Sequence, residues 1–154
     1  MAGGSVGGEM VRDALYTLRE ELIDAREKLA TIEAGTELRA ARITGMPKAR
    51  TMKDQMNNSL FFADKQRARI ARAEADIQSY ISCAERPEYV RLLHLRYVDL
   101  LEWPEIGPHL FGQSFGREKT NALRRKMFRM HKAACCEIWS HFQPGRKKEG
   151  REAR

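Results

Sequence analysis

The sequence predicts an all-α chain of two modules, a long pair of helices in the N-terminal half and a compact trihelical module after it whose last helix is long and basic. Three observations carry this. Charged residues make up 32% of the chain and aromatic residues 8%, with Ala, Leu, Arg, Glu and Lys abundant, which is the composition of solvated helices rather than of a β-sandwich. Apolar residues recur at alternating spacings of four and three from Val11 to Ile32. Beyond Arg86-Pro87 the sequence turns denser and more aromatic, and a short and then a long helical pattern follow.

Met1 to Gly8 is small and glycine-rich and is expected to be disordered. From Glu9 the positions Val11, Leu15, Leu18, Leu22, Ala25, Leu29 and Ile32 form a coiled-coil seam flanked by charges such as Arg19, Glu20, Glu21, Asp24, Arg26, Glu27 and Lys28 that suit its solvated sides. Gly35 offers a stop, and residues 35–50, with Gly45 and Met46-Pro47, read as a connector. A second helix is expected from Met52 to about Ala84, with Met56, Ala63, Ile70 and Ile77 at sevens and Leu60, Ala73 and Tyr80 or Ile81 near the other seam position. Residues 9–85 thus form a helical hairpin with coiled-coil character, or two such seams paired between two chains as a homodimer.

Residues 86–142 form the second module. Tyr89 to Val98 is an amphipathic helix, and Asp99 to Glu102 a short connector. Pro104 in Trp103-Pro104-Glu105-Ile106 suits the first turn of a second helix, where the missing amide proton has no intrahelical partner anyway. Gly107-Pro108 should kink that helix or cut it to one turn. Phe111 to Ser114 reads as a turn. A long helix from about Arg117 to Phe142 follows, with Leu123, Met127, Met130, Ala134, Ile138 and Phe142 on its apolar stripe. Trp103 and Trp139 are expected as core anchors. The tail 143–154 is charged, carries Pro144, Gly145 and Gly150, and is expected to be disordered.

Charge adds a function class. Residues 1–85 hold 13 basic and 13 acidic residues, whereas residues 86–154 hold 15 and 8, so the net +7 lies entirely in the second module. Charge gathered on one module points to a polyanion, whose condensed counterions are released as each phosphate is neutralised. Helix, connector, short helix, turn and long basic helix is the order of a trihelical helix-turn-helix, whose last helix enters the major groove of DNA. That helix carries Arg117, Lys119, Arg124, Arg125, Lys126, Arg129 and Lys132 against Glu118, with Asn121 among them.

The candidate DNA-binding residues follow. Arg124, Arg125, Lys119 and Asn121 are candidates for base contact, because Arg can bridge O6 and N7 of guanine and Asn N6 and N7 of adenine. Arg117, Arg129 and Lys132 suit phosphates, which position a protein without specifying sequence. The tail bases Arg146, Lys147 and Lys148 would add sequence-independent affinity.

Other classes find less support. Cys83, Cys135 and Cys136 are odd in number and unpaired in spacing, so no secreted disulfide framework is expected and a reducing cytoplasm fits. No run of about 18 apolar residues suggests a membrane span. His131 and Cys135 have a spacing that metal sites use, but lack Cys-x-x-Cys or a carboxylate in register, so small helix-packing residues are the expectation and no metal or cofactor is called for. No glycine-rich phosphate loop, Ser/His/Asp arrangement or convergent carboxylates appear, and no enzymatic activity is expected.

Leu95-Arg96-Tyr97-Val98-Asp99 followed by Trp103-Pro104-Glu105-Ile106 resembles the start of a sigma-factor region 4 helix-turn-helix. Phe128-Arg129-Met130-His131-Lys132-Ala133 is similar to the ending of phage-encoded RinA/ArpU-like late transcription regulators, and the connector Ile43-Thr44-Gly45-Met46-Pro47 resembles their N-terminal half. The resemblance covers roughly residues 10–142. It implies an activator of bacteriophage late or packaging genes that acts in the bacterial cytoplasm, binds double-stranded promoter DNA and touches host RNA polymerase. Gly107-Pro108, and the long interval from Trp103 to Arg129, depart from that pattern. A reading from another class is a helical protein-interaction module, such as a phage adaptor or packaging accessory, whose basic helix meets an acidic partner.

Overall fold

The computed structural model describes residues 3–42, 49–112 and 120–142. Among the described residues there is no strand. The helices are α1 (Gly3–Arg42), α2 (Ala49–Ser82), α3 (Pro87–Leu93), α4 (Trp103–Phe111) and α5 (Thr120–His141), and α3 passes directly into a π-helical turn, His94–Val98. The chain is all-α, as its composition predicts. It divides into two compact units, residues 20–75 and residues 1–19 together with 76–154. The division does not fall at Arg86, where the change of sequence character puts it, because the first turns of α1 are bonded into the C-terminal helices.

In residues 20–75 the seam that the spacing predicts is buried at Leu22 and Ala25 of α1 and at Ala63 and Ala73 of α2. Met56 and Leu60 are instead exposed, whereas Ser59 is half-buried and Gln66 buried. Arg26 pairs with Glu74 at 2.8 Å and Arg67 with Glu33 at 3.3 Å, so numbering rises on one segment as it falls on the other. Arg69 reaches Asp24 at 3.3 Å and Glu21 at 3.6 Å. A hydrogen bond from Lys28, with help from Arg69, holds the Asp24 carboxyl below its usual pKa. Exposed pairs of this kind contribute about 0–1 kcal/mol each, so the apolar seam dominates and the ion pairs favour one register. Helix α1 runs through Gly35, where a stop is expected, since a helical glycine costs only about 1 kcal/mol and open space surrounds this one. The connector residues 43–48 lie outside the described residues, as does the expected turn at Gln113-Ser114.

In the other unit, α1 begins at Gly3, so residues 3–8 are helical rather than the disordered N-terminus their small side chains predict. The physical reason is close packing. Gly7 and Gly8 are buried, and a Cβ on Gly7 would lie 2.2 Å from the Trp139 indole, one on Gly8 2.7 Å from Cys136 Sγ. Only a helix without side chains there can approach α5 so closely. The core of the unit continues through Val11 and Leu15 of α1, Ile77 and Ile81 of α2, Leu92 and Leu93 of α3, Tyr97, Ile106 of α4, and Met127, Ala134 and Ile138 of α5.

Each short helix has its ends tied. Pro87 opens α3, and the Glu137 carboxylate on α5 accepts hydrogen bonds from the backbone N–H groups of Glu85 and Arg86 just before it. The π-turn closes with Asp99 N–H donating to His94 O at 3.0 Å, and Leu100 takes a left-handed φ of 59°. Helix α4 starts with Pro104 in its first turn while the Glu105 carboxylate accepts from Glu102 N–H at 3.0 Å. Gly107-Pro108 does not cut it: the helix spans nine residues and ends at Gly112, whose φ is 63°. The one bond that Pro108 removes is offset by burial of Ile106 and Gly107, and Arg91 Nη2 donates to the last-turn carbonyl of His109 at 2.8 Å.

The two buried glycines and Gly35 make opposite expectations. Gly7→Ala forces Trp139 to move and lowers stability by about 1–3 kcal/mol, the usual cost of overpacking. Gly35→Ala meets nothing and raises stability by up to about 1 kcal/mol through helix propensity alone. Thermal melting by circular dichroism measures both, and equal shifts would contradict the close approach of α1 to α5.

Candidate nucleic-acid interface

The platform beneath the basic helix is an apolar cluster. Leu92 of α3, Ile106 of α4 and Met127 of α5 are fully buried against one another, with Leu95, Leu101, Trp103, Leu110, Phe111 and Met130 packed around them. The predicted stripe of α5 supplies Met127 and Met130 to it, and Ala134 and Ile138 to the core farther along.

Two buried arginines stiffen this platform. Arg19 of α1, which the charge pattern assigns to a solvated flank, is only 3% exposed. Its Nε donates to Arg96 O at 3.2 Å, and its Nη2 to Leu100 O at 3.1 Å and to Glu102 Oε1 at 3.0 Å. Arg96 is 2% exposed; its Nη1 donates to Leu101 O at 3.1 Å and to Glu102 Oε2 at 3.3 Å, and its Nη2 to the Tyr16 hydroxyl at 2.9 Å. The Arg96 guanidinium also lies 4.7 Å from the Trp103 ring centroid. One carboxylate therefore neutralises two buried cations at the entrance to α4. The hydrogen bonds from Arg19 and Arg96 hold the Glu102 carboxyl below its ordinary pKa. The left-handed Leu100 presents its carbonyl to Arg19, so local backbone strain accompanies this contact.

Beside it sits His131, the histidine of the Phe-Arg-Met-His-Lys-Ala segment. Its Nε2 lies 2.6 Å from the Tyr97 hydroxyl, its ring stands edge-on to Trp103 at 5.1 Å, and the Cys135 Sγ is 4.0 Å away. Burial, helped by the positive field of Arg96 and Arg12, lowers its pKa to about 4, so the ring is neutral near pH 7. Burial likewise pushes the Cys135 thiol up to about 12 and the Tyr97 hydroxyl above its usual range. Among the described residues no three His, Cys, Asp or Glu side chains converge so as to hold a metal ion.

The outer face of α5 is basic. Asn121, Arg124, Arg125, Arg129 and Lys132 are all exposed, while Arg117 and Lys119 lie outside the described residues, with the tail bases Arg146, Lys147 and Lys148. Among the described residues, Arg124, Arg125, Arg129 and Lys132 have no acidic partner, in contrast to Arg26, Arg67 and Arg69 in residues 20–75. The acid within α5, Glu137, is turned to the start of α3 instead. Asn121, Arg125 and Lys132 follow one line along the helix, and Phe128, absent from the sequence-based candidates, fills the position between Arg125 and Lys132. It is 41% exposed, its ring centroid 5.1 Å from that of Trp103 and 5.9 Å from the Arg124 guanidinium carbon. Its 4-3-4 register with Asn121, Arg125 and Lys132 was the available signal.

The chain matches no protein-family model, no curated protein and no solved structure.

The buried histidine predicts acid sensitivity. With a folded pKa of about 4 against 6.5 unfolded, the neutral ring contributes stability above pH 6.5 that is lost as pH falls toward 4, on the order of 3 kcal/mol in all. Glu102 adds a further loss below its unfolded pKa, since its folded value is depressed. His131→Gln should be less stable at pH 7 yet show a flatter decline between pH 6.5 and 4 in chemical denaturation. An unchanged slope would assign the titration to another group.

Proposed function

We propose that this chain is a transcription regulator that binds promoter double-stranded DNA through a helix-turn-helix formed by α4 and α5, with the paired N-terminal helices of residues 20–75 acting as a coiled-coil hairpin. The observation that carries the reading is the row of exposed Arg, Lys and Asn side chains on α5, its cations without an acidic partner among the described residues, standing on a platform tied together by Arg19, Arg96 and Glu102. Helix α5 would lie in the major groove with its first turns at the base edges, as recognition helices do. Arg124, Arg125 and Asn121, with Lys119 ahead of the helix in sequence, would read bases, and Arg129 and Lys132, with Arg117, would hold phosphates. Such a protein needs no cofactor and carries out no chemistry.

The resemblance to RinA/ArpU-like regulators supports placing this activity at bacteriophage late genes in the bacterial cytoplasm, with host RNA polymerase or a second copy of the chain as the partner of the N-terminal helices. Among the described residues no helix is long and apolar enough to cross a membrane. A second reading has its own observation: Met56, Leu60, Phe61 and Phe62 on α2 are large, apolar and exposed. Exposed apolar groups gathered on one element mark protein contacts, so a phage adaptor or packaging accessory protein is the alternative.

The experiment uses the full chain, because residues 1–19 belong to the same compact unit as α4 and α5. Selection from a random duplex pool should enrich one sequence, with affinity that falls by about two orders of magnitude or more between roughly 50 and 200 mM salt if five or so phosphates are contacted. Arg124→Ala/Arg125→Ala should melt within about 0.5 kcal/mol of the wild type. Each arginine that pairs a guanine should cost about 1–3 kcal/mol of binding and relax preference at one base, whereas Lys132→Ala should weaken all sequences alike. Undiminished binding by the folded double variant would move the protein-interaction reading to first place.

A further inference from the structure

The basic row of α5 is interrupted by one apolar side chain, and its surroundings assign it a task. Phe128 stands between Arg125 and Lys132 in the same line as Asn121, with 41% of its surface exposed. A helix face that only needed solvation would carry a polar residue there. The ring is also held in place. Trp103 meets it edge-to-face at 5.1 Å with an interplanar angle of 66°, and Trp103 is itself fixed by the Arg96 guanidinium at 4.7 Å and by the His131 ring at 5.1 Å. The Arg124 guanidinium packs over Phe128 from the adjacent turn. An exposed aromatic ring supported from below by buried groups loses little conformational freedom on meeting a partner.

We infer that Phe128 is a specificity-determining residue that packs on the C5-methyl group of a thymine. This rests on the helix-turn-helix reading of α5 given above. Among the groups that bases present in the major groove, the thymine methyl is the apolar one, and a Phe side chain is among those that recognise it. Phe128 lies three and four residues beyond Arg125 and Arg124, a rise of about 4.5–6 Å along the helix axis. With base pairs spaced about 3.4 Å apart, the thymine falls within one or two base pairs of the bases those arginines read. Arg124 contributes twice, through its own base contact and as a wall against the Phe128 ring, so the two readouts are coupled.

The test uses the full chain and the duplex enriched from a random pool, with each thymine replaced in turn by deoxyuridine, which removes the methyl group alone. At one position near the Arg124 and Arg125 contacts, the replacement should weaken wild-type binding about fourfold, the transfer free energy of one methyl group. The same replacement should leave Phe128→Ala unchanged, and Phe128→Leu, which keeps an apolar end, should retain part of the preference. Melting curves check that both variants fold. If the replacement weakens wild type and Phe128→Ala equally, or no thymine shows an effect, Phe128 is a supporting residue for Trp103 and the inference is overturned while DNA binding stands. If the chain enriches no sequence at all, the helix-turn-helix reading fails and this inference fails with it.

Discussion

Two guanidinium groups, those of Arg19 and Arg96, are almost wholly removed from water, and one carboxylate, Glu102, balances both. Burying an uncompensated charge costs several kcal/mol, and here the guanidinium groups are compensated by bonds to Glu102, to the backbone carbonyls of Arg96, Leu100 and Leu101, and to the Tyr16 hydroxyl, while Arg96 Nε stays buried without a hydrogen-bond partner. Glu102 itself remains accessible to solvent, which keeps its own desolvation cost small. The π-turn at His94–Val98 and the left-handed Leu100 are then explained together, because they direct the carbonyls of Arg96, Leu100 and Leu101 toward the two arginines. The geometry of the connector between α3 and α4 thus depends on a residue of α1 more than 75 positions earlier in the chain.

The same set of contacts extends to the outer face of α5. Arg96 stacks on Trp103, Trp103 meets both His131 and Phe128, and Phe128 meets Arg124. Every step is an ordinary contact of a fraction of a kcal/mol to about 1.5 kcal/mol, yet in sequence they connect a buried ion cluster to an exposed basic row. The neutral His131 belongs to this chain of contacts: a protonated imidazole beside Arg96 would add a third cation to the cluster, and burial with the field of Arg96 keeps it uncharged.

What the sequence made legible is what depends on local spacing. The 4-3 repeat located Val11, Leu15, Leu22 and Ala25 in the core, while leaving Leu18, Leu29 and Ile32 only half-buried, Pro104 marked the first turn of α4, and the Leu123 to Ile138 stripe the inward side of α5, because a helix of 3.6 residues per turn converts spacing directly into a face. What it left hidden depends on partners far along the chain. Arg19 is indistinguishable from a solvated flank residue until Arg96 and Glu102 stand beside it, and Gly7 and Gly8 look disordered until Trp139 and Cys136 are packed on them. Gly107-Pro108 misled for a related reason: local propensity argues for a break, and tertiary burial of Ile106 with the Arg91 bond to His109 outweighs it. Phe128 fell between categories, too exposed for the core and too apolar for a list chosen by charge.

The use of acids separates the two faces of the C-terminal helices. Glu102 is committed to the buried arginines, Glu105 to the backbone at the start of α4, and Glu137 to the backbone before α3. Each carboxylate of this group satisfies an internal need, and among the described residues Arg124, Arg125, Arg129 and Lys132 have no counter-charge on their side of α5. In residues 20–75, Arg26, Arg67, Arg69 and Lys28 each stand beside an acid, and the 1–85 half is neutral in sum. A chain that needed positive charge only for solubility would gain as much by scattering it. Concentrating cations on one helix raises the self-repulsion of the folded state, and on the DNA-binding reading proposed above a polyanion would offset that cost by supplying phosphates in place of carboxylates.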